Sequence, residues 1–226
     1  MGAYERYEEV SRQIRACDKC GLCKTRKNPV PGEGPIDAEI MLIGEGPGFH
    51  ENEQGRPFVG AAGQFLNELL KRSGLTREMV FITNVVKCRP PGNRDPLPEE
   101  LAACAGYLDT QLDIINPKVI ITLGRYSMAK YFPMGKISII HGQSSWIKGR
   151  LVVPMYHPAA ALHQAHFRPA LEQDFSHLRE WLNQVKQRQA AMIDETTPVA
   201  DRQADIQEED GKMNPPEESA TQLSLF

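Results

Sequence analysis

Five short runs of apolar, mostly β-branched residues recur along the chain, each bounded by Gly, Pro or Asn. They are Ala38-Glu-Ile-Met-Leu-Ile43, Val80-Phe-Ile-Thr83 with Val85-Val86, Val119-Ile-Ile-Thr-Leu123, Ile137–Ile140 and Leu151-Val-Val153. Runs that are continuous rather than alternating predict strands buried on both faces. Between them the period lengthens. Ala61–Arg72 places Phe65, Leu66, Leu69 and Leu70 on one face and stops at Gly74. Pro98–Ile115 carries Leu101, Cys104, Leu108, Leu112 and Ile115 and opens on proline, as helices favour. Arg125–Phe132 predicts a short helix, and Pro169–Gln187 a longer one with Leu178, Trp181, Leu182 and Val185 near its end. Strand–helix alternation implies an α/β fold, a parallel sheet with helices on both faces. In such sheets ligands bind at the carboxyl ends of the strands. Unusual residues gather there: Gly44-Glu-Gly-Pro-Gly48 after the first run, Asn84 after the second, His157-Pro-Ala-Ala160 after the last.

From about residue 189 this patterning fails. Gln, Glu, Asp, Pro and Ala take over, which reads as a disordered acidic tail over 189–226 behind a domain of residues 1–188. The formal charge of −3 over 226 residues conceals the division. The tail holds nine acidic residues against Arg202 and Lys212, and the remaining 188 residues carry a net charge of +4. A mildly basic body is compatible with a phosphate-rich partner. No window approaches the ~18 apolar residues of a membrane span, and Met1-Gly-Ala-Tyr-Glu-Arg lacks the apolar core of a secretory signal. The expectation is a cytoplasmic protein.

Five cysteines without a secretory signal argue against a disulfide framework. Cys17, Cys20 and Cys23 form C-x2-C-x2-C, and Cys88 and Cys104 lie far downstream. Thiolates at that spacing converge on one centre, and fold topology can return Cys88 and Cys104 to it. Four such ligands suit zinc or an iron–sulfur cluster alike. Cys104, on an apolar helical face, also fits the part of a small buried hydrophobe.

Gly44-Glu-Gly-Pro-Gly48 lacks the Lys-Ser/Thr ending of a P-loop and the spacing of a dinucleotide fingerprint. Its glycines let the backbone approach a ligand closely, and Glu45 lies within it. Asn84 is a poor strand residue whose amide both donates and accepts, which suits a nucleobase edge. Phe58 stands between glycines in Gly55-Arg-Pro-Phe-Val-Gly60, and His157 precedes a proline at the ligand edge of the sheet. An aromatic face, an amide, a histidine and close backbone are the equipment for gripping a flipped-out base.

With these motifs in this order, together with Thr83-Asn-Val-Val-Lys-Cys-Arg-Pro-Pro-Gly-Asn-Arg94, the chain resembles the iron–sulfur, type-four uracil-DNA glycosylases over about residues 5–186. The resemblance implies a three-layer α/β/α sandwich on a four-stranded parallel sheet. It implies a 4Fe–4S cluster on Cys17, Cys20, Cys88 and Cys104, with Cys23 outside the family pattern. Phe58 would stack on uracil, Asn84 would read its polar edge, Glu51 would fill the space beside C5 and exclude thymine, and His157 would donate to O2. Gly44, Gly46 and Gly48 would bring backbone amides to the base, and Leu162 would fill the opened duplex. Relatives place an Asp where this chain has Gly46, so Glu45 becomes the candidate for orienting water, and His163 replaces a frequent Arg. No basic loop precedes a histidine between Phe58 and Ala160, which favours turnover over covalent trapping of the sugar. A non-catalytic DNA-binding or replication-accessory protein of the same fold is the alternative; a small electron-transfer protein would not need the base pocket. Finally, Gln222-Leu223-Ser224-Leu225-Phe226 resembles the pentapeptide that binds the bacterial sliding clamp. Implied partners are therefore uracil-containing DNA and the clamp, for a nucleoid-associated monomer.

Overall fold

Parallel β-strands at the centre of the chain's computed structural model are apolar on both sides and carry helices on both sides. The structure describes residues 1–196, with side chains to 192. Met1–Val185 form one compact unit, and the chain from Lys186 onward forms another, of which the backbone is described to Thr196.

The chain opens with helix α1 (Ala3–Ala16), then enters β1 (Ile40–Gly44). A short α2 (Phe49–Gln54) and α3 (Ala61–Arg72) lead to β2 (Phe81–Asn84), and α4 (Pro98–Ile115) leads to β3 (Val119–Leu123). Then follow α5 (Arg125–Ala129), the single turn α6 (Ile137–Ile140), β4 (Ser145–Ile147), β5 (Arg150–Met155), α7 (Pro158–His163), α8 (Phe167–Ser176) and α9 (Leu178–Thr196). Strand order is β2-β1-β3-β5-β4. The first four strands are parallel, in registers that pair Gly44 with Asn84, Ile43 with Thr122 and Leu123 with Met155.

Alternation of side chains along the strands builds the two outer layers. Ile40, Leu42, Ile121 and Val153 face one way and pack with Phe65, Leu66, Leu69 and Leu70 of α3, Phe175 of α8 and Trp181 of α9. Met41, Ile43, Ile120 and Val152 face the other way and pack with Leu108, Leu112 and Ile115 of α4. A third cluster joins Val10 and Ile14 of α1 to Val86, Cys104 and Tyr107. This is the expected α/β/α layering.

Three expectations change. The sheet has five strands, not four, because β4 adds an antiparallel edge to β5. Ile137–Ile140 is not a strand but one helical turn, with Ile139 64% exposed. Pro169–Gln187 is divided between α8 and α9, which meet at His177. On the opposite edge, β2 receives an antiparallel bridge in which Glu33 and Ile82 exchange both backbone hydrogen bonds, at 2.9 and 2.7 Å. No helix among the described residues is long and apolar enough to cross a membrane. The pentapeptide Gln222–Phe226 and most of the acidic tail lie outside the described residues.

Candidate active site and cysteine pocket

Parallel strands aim their carboxyl ends at one rim of the sheet, and a cleft of about 510 Å³ opens there. Glu45, Gly46 and Gly48 from the loop after β1, Glu51 of α2, Phe58, Asn84 at the end of β2, and His157 after β5 all line it. Residues separated by more than a hundred positions thus meet at one rim of the sheet. Leu162 does not line the cleft. It stands 49% exposed on α7, between Ala159 and His163, which do.

Asn84 is 1% exposed, yet its Oδ1 has no hydrogen-bond partner. A buried, unpaired acceptor is unfavourable by about 1–3 kcal/mol and calls for a ligand donor. Gly44, opposite Asn84 in the register, permits this crowding: a Cβ there would lie 2.4 Å from Asn84 Oδ1 and 2.6 Å from the Phe58 ring. The Phe58 ring is stacked near the His157 ring, with centroids 5.5 Å apart and planes 25° apart.

Phe58 holds a left-handed backbone, φ 51°, which a bulky residue seldom adopts. Hydrogen bonds on both sides of it offset the strain. The Arg77 guanidinium donates to the carbonyls of Pro57 and Phe58 and pairs with Glu33 at 2.9 Å. Glu51 takes the other side: Oε1 accepts from the Val59 and Gly60 amides at 2.8 and 2.9 Å, and Oε2 from the Gly48 amide at 3.1 Å. One carboxylate therefore joins the glycine loop to the phenylalanine loop.

His157 caps α7, and its Nδ1 accepts from the Ala159 amide at 3.1 Å. In a neutral ring the proton must then lie on Nε2, the one polar atom left to serve a ligand as donor. Burial holds the imidazole neutral, lowering its pKa to about 4, while Glu51 opposes the shift. Burial raises the Glu45 carboxyl above its ordinary value, Asp95 adds to the rise and Arg125 opposes it. Asp95 is itself paired with Arg125.

A second pocket lies where α1, the segment after β2 and α4 meet. Cys17, Cys20, Cys23, Cys88 and Cys104 all line it, beside Arg26 and Lys87. Arg26 donates to Cys88 Sγ at 3.1 Å, and the Lys87 amide to Cys104 Sγ at 3.4 Å. Burial pushes the Cys88 thiol up to about 11 and raises that of Cys104. Among the described residues, no three His, Cys, Asp or Glu side chains are grouped as they would be around a metal ion.

Asn93 and Arg94 end the Thr83–Arg94 motif, but neither Arg77 nor the cleft-lining Asp95 and Pro96 could be singled out from the sequence as parts of this site. Arg77 lies in an unremarkable turn, and its partners are about 20 residues upstream in Pro57 and Phe58. Arg94 is held by a two-point bond to Glu100, at 2.9 and 2.7 Å.

The family model for the uracil DNA glycosylase superfamily matches residues 31–186. A type-4 uracil-DNA glycosylase of Sulfurisphaera tokodaii is 50% identical over 183 residues, covering 76% of this chain and 83% of that protein. That of Saccharolobus solfataricus is 50% identical over 184 residues, covering 77% and 85%, and that of Archaeoglobus fulgidus 45% identical over 185 residues, covering 78% and 93%. With the cleft at the strand ends and this similarity across most of its length, the chain belongs to the type-4 family of the uracil DNA glycosylase superfamily.

Proposed function

We propose that the cleft binds a uracil turned out of DNA and hydrolyses its N-glycosidic bond, as a monofunctional enzyme of base-excision repair. The observation that carries this reading is the unpaired Asn84 Oδ1 in the cleft wall. Uracil offers an N–H beside a carbonyl, and the Asn84 amide complements both. Phe58 supplies the stacking face, and Glu51, while holding the two loops, fills the space beside C5 where thymine carries a methyl. Breaking the N1–C1′ bond leaves charge on uracil O2. A neutral His157 with its proton on Nε2 donates to that oxygen, and the amides of Gly46 and Gly48 add preorganised dipoles. Glu45, with its affinity for protons raised, orients the water that attacks C1′. Leu162, exposed beside the cleft, fills the space the base leaves.

The cysteine pocket fits a 4Fe–4S cluster held by Cys17, Cys20, Cys88 and Cys104, with Cys23 in reserve. Five thiols around one pocket, with hydrogen bonds to two of the sulfurs, suit a polynuclear cluster in which each thiolate binds its own iron. When bound, such a cluster cross-links α1 to α4 and takes no part in bond cleavage. The domain is proposed to act as a monomer in the cytoplasm, at the nucleoid, with the acidic segment that follows α9 as its tether to a partner. Gln222, Leu223, Ser224, Leu225 and Phe226 then bind the sliding clamp, Leu225 and Phe226 filling an apolar pocket.

Oligonucleotides containing one uracil, single- and double-stranded, test the activity: alkali-labile sites should form at the uracil only. Binding without strand cleavage after alkali would favour a non-catalytic accessory protein instead. Removing residues 222–226 should abolish clamp binding in surface plasmon resonance and leave excision on a short oligonucleotide unchanged. Equal binding by the truncated protein would overturn the tethering.

A further inference from the structure

Lys87 is a charged residue with only 1% of its surface exposed. It lies three residues after Asn84 and immediately before Cys88. Its ammonium donates to Thr83 Oγ1 at 2.6 Å, to the Asn84 carbonyl at 2.8 Å and to Gln111 Oε1 at 2.7 Å. Three donors meet three neutral acceptors. The framework around them is closed: Thr83 Oγ1 and Gln111 Nε2 both donate to the Pro31 carbonyl, at 2.9 and 2.8 Å. The main chain of Lys87 is also engaged, its amide with Cys104 Sγ and its carbonyl with the Val30 amide at 2.7 Å. A core position of this kind normally carries an apolar residue, because a buried ammonium is unfavourable. The aim of Asn84 supplies a reason for the exception. Its Oδ1 has no partner, so no bond to that oxygen orients the side chain. Close packing beside Gly44 and Phe58 confines the amide, and its direction follows the Asn84 main chain, whose carbonyl Lys87 holds.

We propose that Lys87 is a positioning residue for the base-reading amide: it fixes the end of β2 so that Asn84 points into the cleft, and through Cys104 and Cys88 it joins that alignment to the cysteine pocket. The proposal rests on the reading of the cleft as a uracil site. Lys87→Met keeps most of the buried stem and removes all three donors. In single-turnover assays on a uracil oligonucleotide, the rate of base release should fall by about 10- to 100-fold, the order expected of a misaimed group. DNA affinity, iron content and visible absorbance should stay at wild-type values. In an Asn84→Ala background the same substitution should cause no further loss, because its effect passes through the missing side chain. Three results would each overturn the role: an unchanged rate, an equal fold-loss with and without Asn84, or loss of iron in parallel with activity. If neither Lys87→Met nor Lys87→Gln folds, the residue is a structural one and the proposal fails as well. A wild-type protein that releases no uracil would remove the reading of the cleft itself, an outcome distinct from all of these.

Discussion

The imidazole of His157 is made a hydrogen-bond donor by what surrounds it rather than by its sequence position. The Ala159 amide occupies Nδ1, and burial suppresses the cationic form. This has a sign that stability measurements can check. The folded pKa is about 4, below the ordinary 6.5. Between those values the unfolded chain binds more protons, so stability is full above about pH 6.5 and is lost as pH falls toward 4. Because the residue keeps some contact with solvent, the loss should be on the order of 1–2 kcal/mol rather than the ~3 that the two values imply. Denaturant midpoints at pH 7 and pH 4.5 should therefore converge in His157→Gln relative to wild type. Asn84→Ala tests the other side of the cleft. Loss of a buried bond to a developing charge is worth about 1.5–3 kcal/mol, so excision should slow by roughly 10- to 150-fold. Circular dichroism and iron content should not change. Asn84 and His157 could be picked out in the sequence because their residue types are odd at the end of a strand, and Phe58 because it stands between glycines; all three line the cleft. Arg77 and Lys87 could not be picked out, since a cation in a turn or after a strand signals nothing until its long-range acceptors are known.

Helices and strands differ in how plainly they declare themselves. The four parallel strands could be read because both faces are buried, so their apolar runs are unbroken. Ile137–Ile140 carries the same signature but is half-exposed, and the Ile140 carbonyl side of the turn closes onto Gln143 instead of a neighbouring strand. The true edge strand, β4, has three residues and no apolar run. Its signal was the two-residue turn Lys148-Gly149, both with positive φ (49° and 78°), the geometry of a tight hairpin into β5. Glycines inside helices offer a paired test. In α3, a Cβ at Gly63 would lie 1.8 Å from the Phe58 carbonyl oxygen, whereas at Gly106 of α4 nothing lies within 4 Å. Gly106→Ala should stabilise the protein by about 1 kcal/mol through helix propensity. Gly63→Ala should destabilise it by about 2 kcal/mol or more despite the same propensity gain, and should impair excision by displacing the Phe58 loop. Thermal melts and the uracil assay read both; equal and opposite shifts are not required, only opposite signs.

At the scale of the whole molecule, two pockets are served by one short stretch of chain. Thr83–Cys88 begins beside the cleft and ends among the cysteines. Under the proposed ligation, Cys104→Ser should lower iron content and loosen α1 from α4, seen as faster amide exchange in α1, while Cys23→Ser should leave both near wild type. Iron lost in the Cys23 variant and kept in the Cys104 variant would reverse the choice of ligands. The layered architecture was legible because alternation of strands and helices admits few other arrangements. The convergence of Cys17 on Cys104 could be suspected from spacing, but which wall of the pocket each thiol takes depends on how α1 lies against α4, and sequence periodicity does not carry that. The sheet also ends well on both sides. One margin is met by the backbone of Glu33 and the other by a strand of only three residues. A parallel sheet with bare margins is a template on which partly folded copies can stack. Here the template is closed at one side and shortened at the other, so concentrated solutions should resist fibril formation for as long as the 33–34 segment and the Lys148-Gly149 hairpin stay in place.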